Sequence, residues 1–267
     1  MRRVFLLTIL LVTFTCWGKS NKVDMEYFPV DKARYKAVYS LNFIEDTVKR
    51  KIKSTLATLL IGDSVVVYAD KHLIDSDSVG YTYPITHNGA KVPAMALVSY
   101  MTGVKLHHYI YKNYPSDNKQ TFRCNFIDNN SYTESIPTQE WTETGRTKEI
   151  QGLTCKEAIC SFRGRDYVAY YSPDIPLRYG PDVFGGLPGL IMELQDGNSE
   201  YIWSLQGFET CDYVHVITIN RKDLKELSRD KYREVEQKFR NNPWMMNPDD
   251  PMLKKFKPKP YNPVEKY

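Results

Sequence analysis

The run T-C-K-E-A-I-C-S-F-R-G-R-D-Y-V-A-Y-Y-S, Thr154–Ser172, decides the fold class. Two strand-like segments, Thr154–Phe162 and Asp166–Ser172, flank Arg163-Gly164-Arg165, a tight hairpin turn. The same pattern recurs to either side. Gly189–Gln195 and Glu200–Leu205 are joined by the Asp196-Gly197 turn. Thr55–Ile61 and Val65–Ala69 flank Gly62-Asp63-Ser64. Further strands are expected at Lys105–Lys112, Gln120–Ile127, Ser131–Ser135, Glu140–Ile150 and Tyr213–Ile219. Arg34–Phe43 sets Tyr35, Ala37, Tyr39, Leu41 and Phe43 against Lys36, Ser40 and Asn42, a half-buried strand. Strands that follow one another through short turns specify a mainly β fold: a curved, meandering antiparallel sheet or partly closed barrel. No βαβ alternation is present, which argues against a nucleotide-binding α/β fold.

Outside the strands, Asn21–Lys32 reads as a short polar lead, Leu73–Gly80 as a short helix or turn, and Tyr81–Val92 as irregular. Pro93–Gly103 allows a short helix. Asp223–Arg240 changes to helical spacing, with Leu224, Leu227, Tyr232, Val235 and Phe239 near one face that packs on the sheet. From Asn241 the prolines at 243, 248, 251, 258, 260 and 263 describe an extended or disordered segment unable to form a core. The organisation is therefore a leader over 1–18, one β-rich domain over 19–240 ending in an amphipathic helix, and a Pro/Lys-rich tail over 241–267.

The leader has the form of an export signal. Arg2 and Arg3 precede the apolar run Val4–Val12, and Cys16-Trp17-Gly18 offers a small-x-small cleavage pattern. The run falls short of the ~20 residues a membrane-spanning helix needs. A lipid anchor on Cys16 ranks second, because Phe14 and Thr15 are bulky for lipoprotein processing. Removing 1–18 lowers the formal charge from +4 to +2. The Lys254–Tyr267 tail carries five lysines and one glutamate, which leaves the body about −2. That balance argues against nucleic acid. The basic tail could touch an anionic membrane surface, although a solvated charged tail is the commoner arrangement.

Four cysteines follow the leader: Cys124, Cys155, Cys160 and Cys211. An even number in an oxidising compartment suggests two disulfides, with three possible connectivities. Cys155 and Cys160 stand five apart on one strand and face opposite sides about 16 Å apart, so each must pair elsewhere.

The segment Tyr179–Leu194, Y-G-P-D-V-F-G-G-L-P-G-L-I-M-E-L, fixes one rigid backbone path with its glycines and prolines. Gly180-Pro181 stops the preceding strand, and Gly185-Gly186 allows close backbone approach. Leu187, Leu190 and Ile191 lie on either side of the Pro188-Gly189 turn. A plug for one end of the curved sheet accounts for this, and so does a binding surface; the plug is favoured because buried Leu and Ile are the ordinary case.

Together with W-T-E-T-G-R-T-K-E-I-Q-G-L-T-C-K-E-A from Trp141 and G-R-D-Y-V-A-Y-Y-S-P-D-I-P from Gly164, the segment resembles the GLPGLI family of exported bacterial envelope proteins. That family takes its name from the hexapeptide at Gly186–Ile191. The likeness covers the middle and C-terminal half of the chain. It implies an envelope location, periplasmic or outer-membrane-associated, and a β-rich fold more than an activity. The family pattern also places cysteines at the positions of Cys155 and Cys211, which implies that pair and leaves Cys124 with Cys160.

No catalytic constellation emerges, and no cofactor or metal is expected. The five histidines, His72, His87, His107, His108 and His215, match no zinc spacing. His107 and His108 face opposite sides of a strand. Asp75-Ser76-Asp77 with Gly80 begins like a calcium loop but lacks its glutamate. Asp174, Asp182 and Glu193 near the Gly/Pro segment are the one possible set of paired carboxylates, although Asp174 and Asp182 suit turns and Glu193 suits solvent. Tyr39, Tyr68, Tyr109, Tyr111, Tyr167, Tyr170 and Tyr171 could line a concave aromatic surface, though half-buried packing is their default. The expectation is a non-enzymatic envelope protein binding a hydrophobic or peptide-like ligand or an envelope partner. The alternatives are an exported hydrolase using the three carboxylates and an adaptor docking through its tail.

Overall fold

The computed structural model describes residues 27–93, 99–100, 102–124, 129–212, 215–220, 224–242, 258 and 262–266. The leader 1–18 and most of the tail lie outside the described residues, as does the centre of the helix expected at 93–103. Strands β1 (Tyr27–Asp46), β2 (Lys51–Gly62) and β3 (Val66–Asp70) precede helix α1 (Lys71–Thr86). Next come β4 (His108–Lys112), β5 (Lys119–Cys124), β6 (Asn130–Ser135) and β7 (Thr142–Ile150). Then follow β8 (Leu153–Phe162), β9 (Arg165–Ser172), β10 (Leu190–Asp196), β11 (Tyr201–Thr210), β12 (Val216–Asn220), β13 (Lys225–Glu226) and α2 (Arg229–Asn241).

The strands form one open, curved sheet in the order β13-β6-β5-β4-β3-β2-β1-β11-β10-β9-β8-β7. Pairing is antiparallel apart from the short parallel β13–β6 contact. Two meanders, β2–β6 and β7–β11, meet on either edge of β1, where Leu41 pairs with Thr55 on one side and Trp203 on the other. Curvature follows from chain length. Residues 136–141 carry the chain from β6 to β7, ten strand spacings apart in the ladder. At about 4.8 Å per spacing a flat sheet would put these strands ~48 Å apart, and six residues reach only about 25 Å. The sheet must curl into a cup.

Hairpin chemistry sets the registers. Arg163 and Gly164 both have positive φ, forming the two-residue turn between β8 and β9; Arg165 already belongs to β9. β1 begins seven residues earlier than its alternation suggests, because Tyr27–Lys32 pairs with β12 instead of leading freely into the domain. Helix α1 is also longer than its sequence suggests, running through Tyr81–Thr86. Its start is fixed by buried Asp70, whose carboxylate accepts from His72 N at 3.0 Å, Thr55 Oγ1 at 2.9 Å, and the amides of Lys105 and Leu106 at 3.1 Å. Asp75, Ser76 and Asp77 are thus helical and not part of an ion-binding loop.

The middle strands are buried on both faces, and β3 has no exposed residue. Leu59, Val66, Tyr68 and Ile110 face the inside of the cup. Their neighbours Leu60, Val67, Tyr109 and Tyr111 face a second core beneath α1 and β12. A third cluster joins α2 to the sheet through Cys124, Tyr132, Tyr232 and Phe239. The helix begins at Arg229 and not Asp223, because Lys225–Glu226 forms β13 and Ser228 accepts from Lys231 N at 3.2 Å as its N-cap.

No disulfide joins Cys124, Cys155, Cys160 and Cys211, all of which are buried. Neither implied pairing forms, because each pair is split between separate cores. Cys155 and Cys160 both join the main core but from opposite faces of β8, Cys211 lies beneath α1, and Cys124 under α2. Burial pushes the Cys155 thiol up to about 11 and Cys160 to about 12, far from a reactive thiolate.

Candidate ligand-binding cavity

The Gly/Pro segment forms the floor of the cup. Between β9 and β10 the chain folds inward and places Phe184 at the centre, fully buried among Tyr167 (ring centroids 4.5 Å), Phe162 (5.7 Å), Trp203 (6.1 Å) and Trp141 (6.4 Å). Leu187, Leu190 and Ile191 are buried around it, Gly180 and Pro181 are buried at its entry, and Gly186 and Pro188 remain exposed at the tip. Two glycines are dictated by space and dihedral. A Cβ on Gly189 would lie 2.1 Å from the Ser172 carbonyl oxygen, and Gly186 has φ +88°. Surrounding side chains hold the bend by its carbonyls: Lys112 Nζ donates to Phe184 O at 2.6 Å, and Trp141 Nε1 donates to Gly185 O at 2.8 Å. Burial pushes the Lys112 ammonium down to about 7, with the Asp182 carboxylate acting in the opposite direction.

Above the floor lies a cavity of about 230 Å³. Alternation along β1 turns Leu41, Phe43 and Glu45 towards it. Cross-strand pairing places Tyr201 beside Phe43, with stacked rings 6.1 Å apart. β4 and β5 add His108 and Phe122, stacked at 4.6 Å. Val183 of the floor and Leu106 complete the apolar wall. The roof is α2, through Tyr232, Glu236, Phe239 and Arg240, together with residues 262–265.

The charged groups at the rim are engaged with one another. Glu45 receives Arg240 at 2.8 Å and Lys53 at 2.5 Å, and Arg233 binds Glu265 at 2.6 Å. Asp182 is buried, in the left-handed region at φ 55°, and lies 3.4 Å from His108 Nε2. Burial pushes His107 down to about 4; Asp70 opposes this, while His108, Arg240 and Lys53 reinforce it.

The three carboxylates singled out in the sequence do not gather. Asp174 is exposed in a turn, Glu193 binds Lys148 at 2.5 Å on the sheet, and only Asp182 reaches the cavity. Among the described residues no group of His, Cys, Asp or Glu is arranged to hold a metal. The seven strand tyrosines form no concave surface. Tyr39, Tyr68, Tyr167 and Tyr171 are consumed by the cup core, Tyr109 and Tyr111 by the opposite core, and half-buried Tyr170 donates to Glu157. The lining tyrosines are Tyr201 and Tyr232, whose strand and helix are legible in the sequence but whose convergence depends on the sheet's curl.

Residues 262–266, expected to be solvated, are packed. Glu265 is 3% exposed and accepts from Arg163 Nη1 at 2.7 Å, Arg229 Nη2 at 2.9 Å and Arg233 Nη2 at 2.6 Å. Burial alone would raise its carboxyl; Arg233, Arg163 and Arg229 outweigh burial and hold it below the ordinary range.

A family described as a protein of unknown function (Porph_ging) matches residues 127–193, a span running from β6 through the Gly/Pro floor into β10. No curated protein matches the chain. Among solved structures it is similar to PNGF-II in a P21 crystal form, at 14% identity and a TM-score of 0.48, covering 76% of this chain and 33% of that one. It is also similar to PNGF-II in a C2 form, at 16% identity and a TM-score of 0.49, covering 78% and 33%. The chain spans about a third of the length of those structures. A likeness of that degree carries no function across. Among the described residues no helix is long and apolar enough to cross a membrane.

Proposed function

We propose that this chain is an exported, non-enzymatic GLPGLI-type envelope protein that holds a small apolar or amphiphilic ligand inside its cup. The cavity carries the reading: an apolar chamber with a fixed floor, roofed by a helix and a peptide segment, with rim charges engaged in ion pairs. Its volume lies somewhat below the several hundred Å³ usual for drug-sized ligands. It suits a single ring or a short acyl segment. The export part of this reading is supported by the signal-like pattern of residues 1–18, and fractionation of cells that express the full chain tests it.

Binding is tested with the apolar fluorophore N-phenyl-1-naphthylamine and native mass spectrometry of the purified chain. The expected result is saturable one-to-one binding that Val183→Trp or Leu106→Phe abolishes without lowering the melting temperature. Equal binding in a folded, filled variant, or none in the wild type, would refute the reading.

One observation favours a hydrolase as the second reading: His108 and Asp182 lie 3.4 Å apart on the cavity wall. It requires ester or glycoside turnover by the wild-type chain that His108→Gln removes. A wild-type chain inert towards a panel of such substrates eliminates it.

A further inference from the structure

The packed segment at 262–266 is held by its own backbone as much as by its side chains. Tyr201 Oη donates to Asn262 O at 2.6 Å, Arg165 Nη2 to Pro263 O at 2.9 Å, and Tyr167 Oη to Val264 O at 2.6 Å. Three consecutive carbonyls are thus each read by a different side chain of the sheet. Asn262 Nδ2 donates to Ile44 O at 2.7 Å, and Arg165 Nη2 also reaches Asn262 Oδ1. The next residue delivers the carboxylate into the three-arginine cage, and Lys266 N then donates to Arg163 O at 2.9 Å.

The receptor groups are themselves fixed. The Arg165 side chain is 1% exposed and is anchored by Asp196 at 2.8 Å and Glu200 at 2.7 Å, with its guanidinium 5.3 Å from the Tyr201 ring centre. Glu134 holds Arg163 at 2.9 Å from the opposite side. Preorganised donors facing successive carbonyls, with a basic pocket for one carboxylate, are what recognition of an extended acidic peptide requires. A pyrrolidine at the second position suits the extended path, because proline fixes φ and offers no amide donor. No covalent continuity with the body enters this recognition.

We propose that the groove formed by Arg163, Arg165, Tyr167, Tyr201, Arg229 and Arg233 is a receptor site for extended peptides of the form Asn-Pro-aliphatic-Glu. The chain's own residues 262–266 fill it in cis, and the same sequence binds in trans when they are released. The tether has a high effective concentration, so trans binding to the wild-type chain is masked.

The test uses the full-length chain carrying Glu265→Arg, which sets a cation against the arginine cage and expels the segment. The probe is a fluorescein-labelled, end-blocked peptide of residues 261–266, followed by anisotropy. The expected result is saturable one-to-one binding, at least tenfold tighter to the variant than to the wild-type chain and lost when the peptide carries Glu265→Gln. Equal affinity for the two chains, or equal binding of the Gln peptide, overturns the proposal. Should Glu265→Arg unfold, the wild-type chain decides: excess unlabelled peptide must accelerate hydrogen exchange of residues 262–266, and unchanged exchange overturns the proposal.

Discussion

The cavity's floor and roof are built by different physics. The floor, Val183–Ile191, is secured by volume: an aromatic ring wedged among four others, glycines where no Cβ fits, and carbonyls met by Lys112 and Trp141. The roof's end, residues 262–266, is secured by polar contacts, with Glu265 among three arginines and tyrosine hydroxyls on its carbonyls, while α2 adds Arg240 on Glu45 to its apolar seat. Packing of this kind is cooperative with the whole core and survives salt. A short segment held by such polar contacts, with few residues in the main core, can open locally. The floor therefore belongs to the global folding unit, and the roof is the part able to move.

The sharpest test of that contrast is Phe184→Ala. It leaves a void at the centre of the cup and should cost about 3–5 kcal/mol in chemical denaturation. A loss below about 1 kcal/mol would mean that the floor is not integral to the core.

A smaller effect comes from acid. His107 sits beside the cavity with its folded-state value pushed down to about 4 by burial. The unfolded chain takes up that proton near pH 6.5, so protonation favours unfolding. Stability from this group is complete above about 6.5 and is lost as pH falls to about 4, a change of about 3 kcal/mol. His107→Gln should flatten the wild-type profile over that window; superimposable profiles would show that burial is not acting there.

The smallest global effect belongs to the roof. Glu265→Gln should move the melting midpoint by no more than about 4 °C, equivalent to about 1 kcal/mol for a chain of this size. Proteolysis between α2 and the docked segment should nevertheless accelerate several-fold. A large drop in midpoint would place the roof in the same cooperative unit as the floor.

This contrast also explains what the sequence made legible. Hairpins such as Thr154–Ser172 announce themselves through local alternation and turn residues, and the floor does so through glycine and proline. The amphipathic spacing of α2 gave its face, with Tyr232 and Phe239 buried as expected. The docked segment had no local signature, since Asn262–Glu265 lies in a proline- and lysine-rich stretch whose composition indicates solvent. Its partners, Arg163 in a hairpin turn and Arg229 and Arg233 on a helix, each look like ordinary surface charges. The cysteine pairing was implied by a family pattern, and such a pattern does not say which core each side chain enters. The His108–Asp182 approach joins residues 74 positions apart and depends on the cup's curl.

The position of β1 has a consequence for how this protein is made. It is the earliest described strand in the chain and the central one in the sheet, and its second edge is completed only by β11, where Leu41 meets Trp203. A nascent chain can zip β1 to β2 at once, yet it carries an unsatisfied ladder until some 160 residues later have emerged. Folding should be slow and late, and any fragment ending before β11 should stick to other chains along that bare edge.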